Sequence, residues 1–184
     1  MAKKLTKEQK ERASLCFECG SLASKDVWNK ICAEQGDDYK AVRYMADQLN
    51  ISDDDMVTIE CLQSKEELHV VADHLNWDGE DIESLYAILD HPLCDAGTAL
   101  LLFWKGSGYS ALSPNPGLAT IEEIEFFNEL RRRFVSQEFN TYDIAFDAYA
   151  EEFVPSLEEY LENKYVIPAE FLCPFSRMYV QDCL

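Results

Sequence analysis

Apolar residues recur along most of this chain at the three- and four-residue spacing of an amphipathic helix. Alternating apolar and polar positions, which would predict half-buried strands, are nearly absent. One clear helical stripe consists of Ile121, Ile124, Phe127 and Leu130. The pattern predicts an all-α fold of about ten short helices, arranged as helical hairpins or as an orthogonal bundle.

Local capping signals predict where most of these helices start. A serine or threonine placed three residues before an acidic residue or a glutamine supplies side chains that bind free backbone amides. Five such patterns occur: Thr6-x-x-Gln9, Ser52-x-x-Asp55, Ser64-x-x-Glu67, Thr120-x-x-Glu123 and Ser156-x-x-Glu159. Further helices are expected over about 24–36, from Asp37 or Asp38, and over about 82–90, the last ending before His91-Pro92.

The second half of the chain contains a predicted loop and a predicted amphipathic helix. Residues 106–119 hold three glycines and two prolines, so they are expected to form a flexible loop. Asn140 is expected to cap a later helix that ends at Pro155. On that helix an aromatic stripe is predicted from Phe139, Tyr142, Phe146, Tyr149 and Phe153, and an acidic strip from Asp143, Asp147 and Glu151.

The chain is strongly acidic, with 35 acidic residues against 16 basic ones and a net charge of −19. A field of this sign repels nucleic acid and anionic membranes, so neither is expected as a partner. The same field attracts basic proteins and raises the rate at which they associate. The alternative is that the charge only keeps the protein soluble.

Length and cysteine content predict a single cytoplasmic domain over residues 1–184. The 184 residues are enough to bury a core without disulfide bonds. The seven cysteines follow no repeating spacing, which is typical of reduced thiols. No secretory signal is predicted, and the longest apolar run, Ala99 to Trp104, is too short to span a bilayer.

One group of residues has the chemistry of a metal or hydrolytic site. His91-x-x-Cys94 is followed by Asp95, and imidazole, thiolate and carboxylate are the usual zinc ligands. His74 and Asp78 lie upstream and would have to converge on the same cleft. Paired ligands at a standard spacing are missing, as are nucleophile and phosphate-binding motifs. We therefore predict no catalytic residue, no metal and no cofactor, and keep an enzyme built on this cluster as an alternative.

A structural role explains the same residues. Asp95 is expected to accept a hydrogen bond from the amide of Gly97 or Thr98 and so cap a helix that runs through Trp104 to Gly106. Gly97 would permit close helix packing, and His91 would bind nearby backbone. In Asn76-Trp77-Asp78-Gly79, the tryptophan is expected to anchor a turn and Asp78 to cap the next helix.

These two strings carry a family resemblance. Asn76-Trp77-Asp78-Gly79 is followed by His91-Pro92, Cys94-Asp95, Gly97-Thr98-Ala99-Leu100 and Phe103-Trp104. Over about residues 65–135 the chain resembles the bacterial domain-of-unknown-function family 4274. Some members look as if they are encoded beside polymorphic toxins, and for those the resemblance implies an immunity protein. It implies no catalytic residue.

The sequence therefore predicts an acidic immunity protein that binds and neutralises a basic toxin domain inside the cell. The expected toxin contacts are Asp143, Asp147, Glu151, Glu152, Glu158 and Glu159, with Tyr109 as an apolar anchor. A helical scaffold that binds an amphipathic helix is a further alternative. The structural residues of the motif are predicted to be Asn76, Trp77, Asp78, His91, Pro92, Cys94, Asp95, Gly97, Thr98 and Trp104.

Overall fold

Helices dominate the chain wherever the structure describes it. The computed structural model describes residues 3–18, 58–75, 77, 82–148, 153–172 and 180–181. The α-helices are α1 (Lys7–Glu18), α2 (Lys65–Asp73), α3 (Ile82–Asp90), α4 (Ala96–Lys105), α5 (Gly108–Ala111), α6 (Ile121–Val135), α7 (Leu157–Asn163) and α8 (Ala169–Leu172). A 3-10 helix spans Ile59–Cys61, and the two-residue strands β1 (Lys3–Lys4) and β2 (Val180–Gln181) pair in parallel. The all-α class is confirmed.

Helix starts within the described ranges follow the predicted capping signals. The hydroxyls of Ser64, Thr120 and Ser156 each accept a hydrogen bond from the backbone amide three residues later. Thr6 and Gln9 make the same reciprocal contact at the start of α1. The predicted helix start at Ser52 and the predicted helices over 24–36 and from Asp37 or Asp38 lie outside the described residues.

Helix α4 forms the centre of the core. Every residue from Ala96 to Trp104 is buried, so this helix is surrounded by protein on all sides. Helices α2, α5 and α6 pack against it. The Phe103 ring contacts the rings of Phe127 and Phe171, with centroid distances of 6.1 and 4.4 Å. Leu100, Phe103 and Trp104, which belong to the motif, are all among these buried residues.

A buried ion pair joins α1 to α2. The Glu67 carboxylate is fully buried and accepts hydrogen bonds from Arg12 Nε at 2.8 Å and from the Gln63 amide at 2.9 Å. The hydroxyl of Ser64 donates a third hydrogen bond at 2.9 Å. A buried carboxylate is stable only when its oxygens are satisfied in this way. The ion pair therefore holds α1 against α2.

The prediction of a helix from Asn140 to Pro155 is wrong for residues 141–148, which the structure describes. Residues 141–148 form an irregular extended segment, in which Thr141 makes a parallel bridge with Asp95. Ile144, Ala145 and Phe146 are buried in succession, which a one-sided helix would not allow. The acidic strip therefore does not exist as a helical face. Tyr149 and the predicted contacts Glu151 and Glu152 lie outside the described residues.

The segment 106–119 also differs from the prediction, because it contains helix α5. Gly108 starts this helix and is buried against the rings of Phe103 and Phe127.

Among the helices described, none is long and apolar enough to cross a membrane.

Candidate functional site

The carboxylate of Asp95 is the most heavily bonded side chain of the predicted motif. It is fully buried and accepts four hydrogen bonds. Oδ1 accepts from the amides of Gly97 at 2.8 Å and Ile144 at 3.1 Å, and Oδ2 accepts from the Thr141 hydroxyl at 2.6 Å and the Asp143 amide at 2.9 Å. We call this arrangement the Asp95 clasp. It confirms the predicted helix cap and adds a long-range role, because it holds residues 141–144 against the start of α4.

Gly97 makes the clasp sterically possible. A Cβ atom at this position would lie 2.2 Å from the carbonyl oxygen of Ile144 and 2.9 Å from its carbonyl carbon. The predicted close packing at Gly97 is therefore confirmed, but the neighbour is the extended segment and not a second helix. The amide of Ala96 also donates to the Thr141 carbonyl at 3.0 Å. Backbone and side chain together anchor the segment.

Behind the clasp, Thr98 contacts a buried histidine. The Thr98 hydroxyl lies 3.1 Å from Nδ1 of His69 on α2. Burial lowers the pKa of His69 to about 4, against the opposing attraction of Asp73 and Asp95. The imidazole is therefore neutral at pH 7, so it serves as a polar packing group in the interior.

The neutral state of His69 predicts a loss of stability in weak acid. Between pH 6.5 and 4 the unfolded chain binds a proton at this residue and the folded chain does not, so the free energy of unfolding falls as the pH falls. The loss from this group approaches about 3 kcal/mol at pH 4. Urea unfolding measured at several pH values checks this. In His69→Gln the slope in this window should flatten, and an unchanged slope would assign the effect to other groups.

The proposed metal or hydrolytic cluster does not assemble in the described part of the chain. His74 ends α2 with Nδ1 2.8 Å from the Val70 carbonyl oxygen, and His91 Nδ1 accepts from the Leu93 amide at 3.1 Å. Burial raises the pKa of the Cys94 thiol, which disfavours the thiolate that a metal requires. No group of three His, Cys, Asp or Glu side chains able to hold a metal ion occurs among the described residues.

Trp77 anchors its turn, as the motif predicts. Its ring stacks on Phe127 with centroids 6.3 Å apart. It also covers Gly106, where a Cβ atom would lie 2.3 Å from the indole ring. Asn76 and Asp78, the neighbours of Trp77 in the motif, lie outside the described residues.

A cavity of about 810 Å³ opens beside α3, at the edge of the same motif. One wall is the 3-10 helix Ile59–Cys61, and the other is a face of α3 that ends in the His91-Pro92-Leu93 turn. We call it the α3 cavity. Its lining residues are Ile59, Glu60, Leu62, Gln63, Ile82, Glu83, Tyr86, Ala87, Asp90, His91, Pro92 and Leu93.

The charged groups of the α3 cavity are all carboxylates. Asp90 is neutralised by Arg133, whose guanidinium lies 2.6 Å away and also binds Glu129. Glu60 and Glu83 are exposed and form no ion pair with any described residue. Burial lowers the pKa of His91, so this side chain is neutral at pH 7 and adds no positive charge. The cavity therefore combines an apolar floor with a negative rim.

The predicted toxin contacts fall on separate elements. Asp143 forms an ion pair with Lys65, and Asp147 is half-buried in the extended segment. Tyr109 packs between the rings of Trp104 and Tyr165, with centroid distances of 5.7 and 4.9 Å, and its carbonyl accepts from the Val166 amide. It therefore supports the chain after α7 and is only half exposed.

Glu158 and Glu159 lie in the first turn of α7, where every side chain is accessible. No residue of this helix is buried, and Leu157, Tyr160 and Leu161 are 73%, 38% and 65% exposed. These three occupy positions i, i+3 and i+4, so they form one stripe. Three carboxylates, from Glu158, Glu159 and Glu162, lie on the same short helix. We call this apolar stripe with its carboxylates the α7 surface.

Comparison with known proteins gives one match. Residues 63–134 match the model of a family described as "Domain of unknown function (DUF4274)". No curated protein and no solved structure matches the chain. The matched range contains Trp77, Asp95 and Gly97, and most of the α3 cavity. The other partners of the clasp, in residues 141–144, lie beyond it. The resemblance predicted from the sequence is confirmed, while the α7 surface lies outside the matched range.

Proposed function

We propose that this chain, whose residues 63–134 form a DUF4274 domain, is an acidic immunity protein that binds and neutralises a basic toxin domain in the cytoplasm. The observation that carries the proposal is the α7 surface. It presents apolar side chains to solvent, and it does so among carboxylates, which is the chemistry of a docking site for a basic protein.

The apolar stripe supplies apolar surface that a partner can cover. Leu157 and Leu161 are each more than half exposed to water. Covering them with a partner would contribute a favourable free energy of about 25 cal/mol for each Å² of apolar surface removed from water. Helix α7 is held in shape without help from a partner, because Ser156 and Glu159 form a capping box at its start. The stripe is therefore ready for contact before a partner arrives, which lowers the entropic cost of binding.

The carboxylates supply attraction and selectivity for a basic surface. Glu158 and Glu162 are exposed and lie about one helical turn apart. Hydrogen bonds from Ser156 lower the pKa of Glu159, so it stays ionised. The net charge of −19 extends this field beyond the helix. Such a field raises the association rate with cationic partners and excludes anionic ones.

The proposal is tested with the product of the neighbouring upstream gene as the candidate toxin. Co-expression of the intact chain should restore growth of cells that produce this toxin, and the purified pair should bind more weakly as salt rises. Leu161→Asp combined with Glu158→Lys and Glu162→Lys should weaken binding by about 100-fold or more and abolish protection.

The control is Glu122→Lys, which repeats one of the Glu-to-Lys changes at an exposed position in the first turn of α6. It should leave affinity within about threefold of the unmodified protein. Both variants must retain the unmodified thermal unfolding profile. Full protection by the α7 variant would refute this docking surface, and failure of the intact chain to bind or protect would refute the immunity function.

A further inference from the structure

We infer that the α3 cavity is a binding site for a small organic cation, with the apolar body of the ligand on the cavity floor and its ammonium or guanidinium group between Glu60 and Glu83. This site is separate from the α7 surface and does not depend on the proposed immunity function. The size, lining and charge of the cavity all favour such a ligand.

The size of the cavity fits a small molecule. Ligand pockets usually occupy about 300–1,000 Å³, and the α3 cavity has a volume of about 810 Å³. Its floor comes from aliphatic side chains on three elements: Ile59 and Leu62 around the 3-10 helix, Ile82 on α3, and Leu93 in the turn that follows. An apolar ligand body would gain burial against this floor without leaving polar protein groups unpaired.

The rim selects the sign of the ligand's charge. Among the described residues, Arg133 is engaged by Asp90 and Glu129, and no described cation neutralises Glu60 or Glu83. An anionic ligand would bring a third negative charge to two existing ones. A cationic ligand would form charge-assisted hydrogen bonds with both.

Tyr86 adds an aromatic contribution. It lines the cavity one turn after Glu83, and its ring is fixed edge-on against Phe126 with centroids 5.1 Å apart. Burial and the nearby carboxylates raise the pKa of its hydroxyl, so the ring carries no phenolate charge at pH 7. The face of a tyrosine ring attracts ammonium groups, which again favours a cation.

The turn of the DUF4274 motif shapes the cavity wall. Pro92 restricts the backbone, and the Leu93 amide donates to His91 Nδ1, so the imidazole is held against the end of α3. The Cys94 amide donates to the His91 carbonyl at 2.8 Å and closes the turn. The motif thus stabilises the interior through Asp95 and borders a ligand site through His91-Pro92-Leu93.

Three probes that share a phenylalkyl body and differ in the charge of their end group test the inference on the full chain. Calorimetric titration and NMR shifts of the Tyr86 and Ala87 amides should show that 2-phenylethylammonium binds about tenfold more tightly than 2-phenylethanol, and that 3-phenylpropanoate binds weakest. Glu60→Gln with Glu83→Gln should remove the advantage of the cation and leave the affinity for the neutral alcohol unchanged. Glu122→Gln, made outside the cavity, should change nothing.

A second variant tests the location of the site. Ala87 lines the cavity on α3 and is partly exposed, so Ala87→Trp should fill the cavity without a clash in the core and should block all three probes. Retained binding in Ala87→Trp would overturn the proposed location. Equal binding of the anion and the cation, or no cation binding at all, would overturn the inference. Neither result would bear on toxin binding through α7.

Discussion

Replacement of Asp95 with alanine is expected to lower the free energy of unfolding by about 3–5 kcal/mol. The change leaves three backbone amides and one hydroxyl without an acceptor at the junction of α4 with the extended segment. Chemical denaturation followed by circular dichroism measures the loss.

A graded series separates the four hydrogen bonds from the negative charge. Asp95→Asn keeps one acceptor oxygen, for Gly97 and Ile144, but turns an amide group towards the Asp143 N–H, so about half of the loss is expected. Asp143→Asn is the matched control, because its side chain is 62% exposed and forms an ion pair with Lys65. It should cost less than about 1 kcal/mol. Equal losses in the two asparagine variants would contradict the clasp.

Capping residues could be recognised in the sequence because their contacts are local. Thr120 and Glu123 satisfy each other's backbone groups within one turn, so four letters of sequence suffice to predict the start of α6. The same holds for Ser156 and Glu159 at α7. Gly106 ends α4 where the apolar run stops, as the sequence predicts.

The helix predicted after Asn140 failed because its structure depends on a residue far away in the sequence. Phe139, Tyr142 and Phe146 have helical spacing, and they do pack towards the core. The amides of Asp143 and Ile144, which a helix would use internally, instead bind Asp95, almost fifty residues earlier. Nothing local in the segment signals this competition, so the aromatic spacing was mistaken for a helical period.

The α3 cavity had no signal in the sequence for a related reason. Glu60 lies on a 3-10 turn and Glu83 on α3, and only the packing of these two elements brings them to one rim. Each glutamate alone resembles an ordinary exposed residue in an acidic chain. The cation site therefore follows from tertiary structure, whereas the carboxylates of α7 could be selected from sequence because they adjoin a capping box.

Replacement of Gly97 with alanine is expected to destabilise the protein by about 2–3 kcal/mol, although alanine is the better helix former by about 1 kcal/mol. The added methyl group would lie 2.2 Å from the Ile144 carbonyl oxygen. Because that oxygen belongs to the backbone, no side-chain rotation can relieve the overlap. The extended segment must move, and its movement lengthens the bonds to Asp95. Thermal and urea unfolding of Gly97→Ala measure the cost.

Gly117→Ala provides the contrasting control. Gly117 has a φ angle of +66° and no atom within 4 Å of the position of a Cβ, so its replacement carries only the left-handed backbone cost of about 1 kcal/mol. In the double variant Asp95→Ala with Gly97→Ala, the losses should fall short of additive, because each change alone already detaches residues 141–144. Full additivity, or a stabilised Gly97→Ala protein, would mean that the glycine and the carboxylate act independently and that Gly97 does not hold the segment.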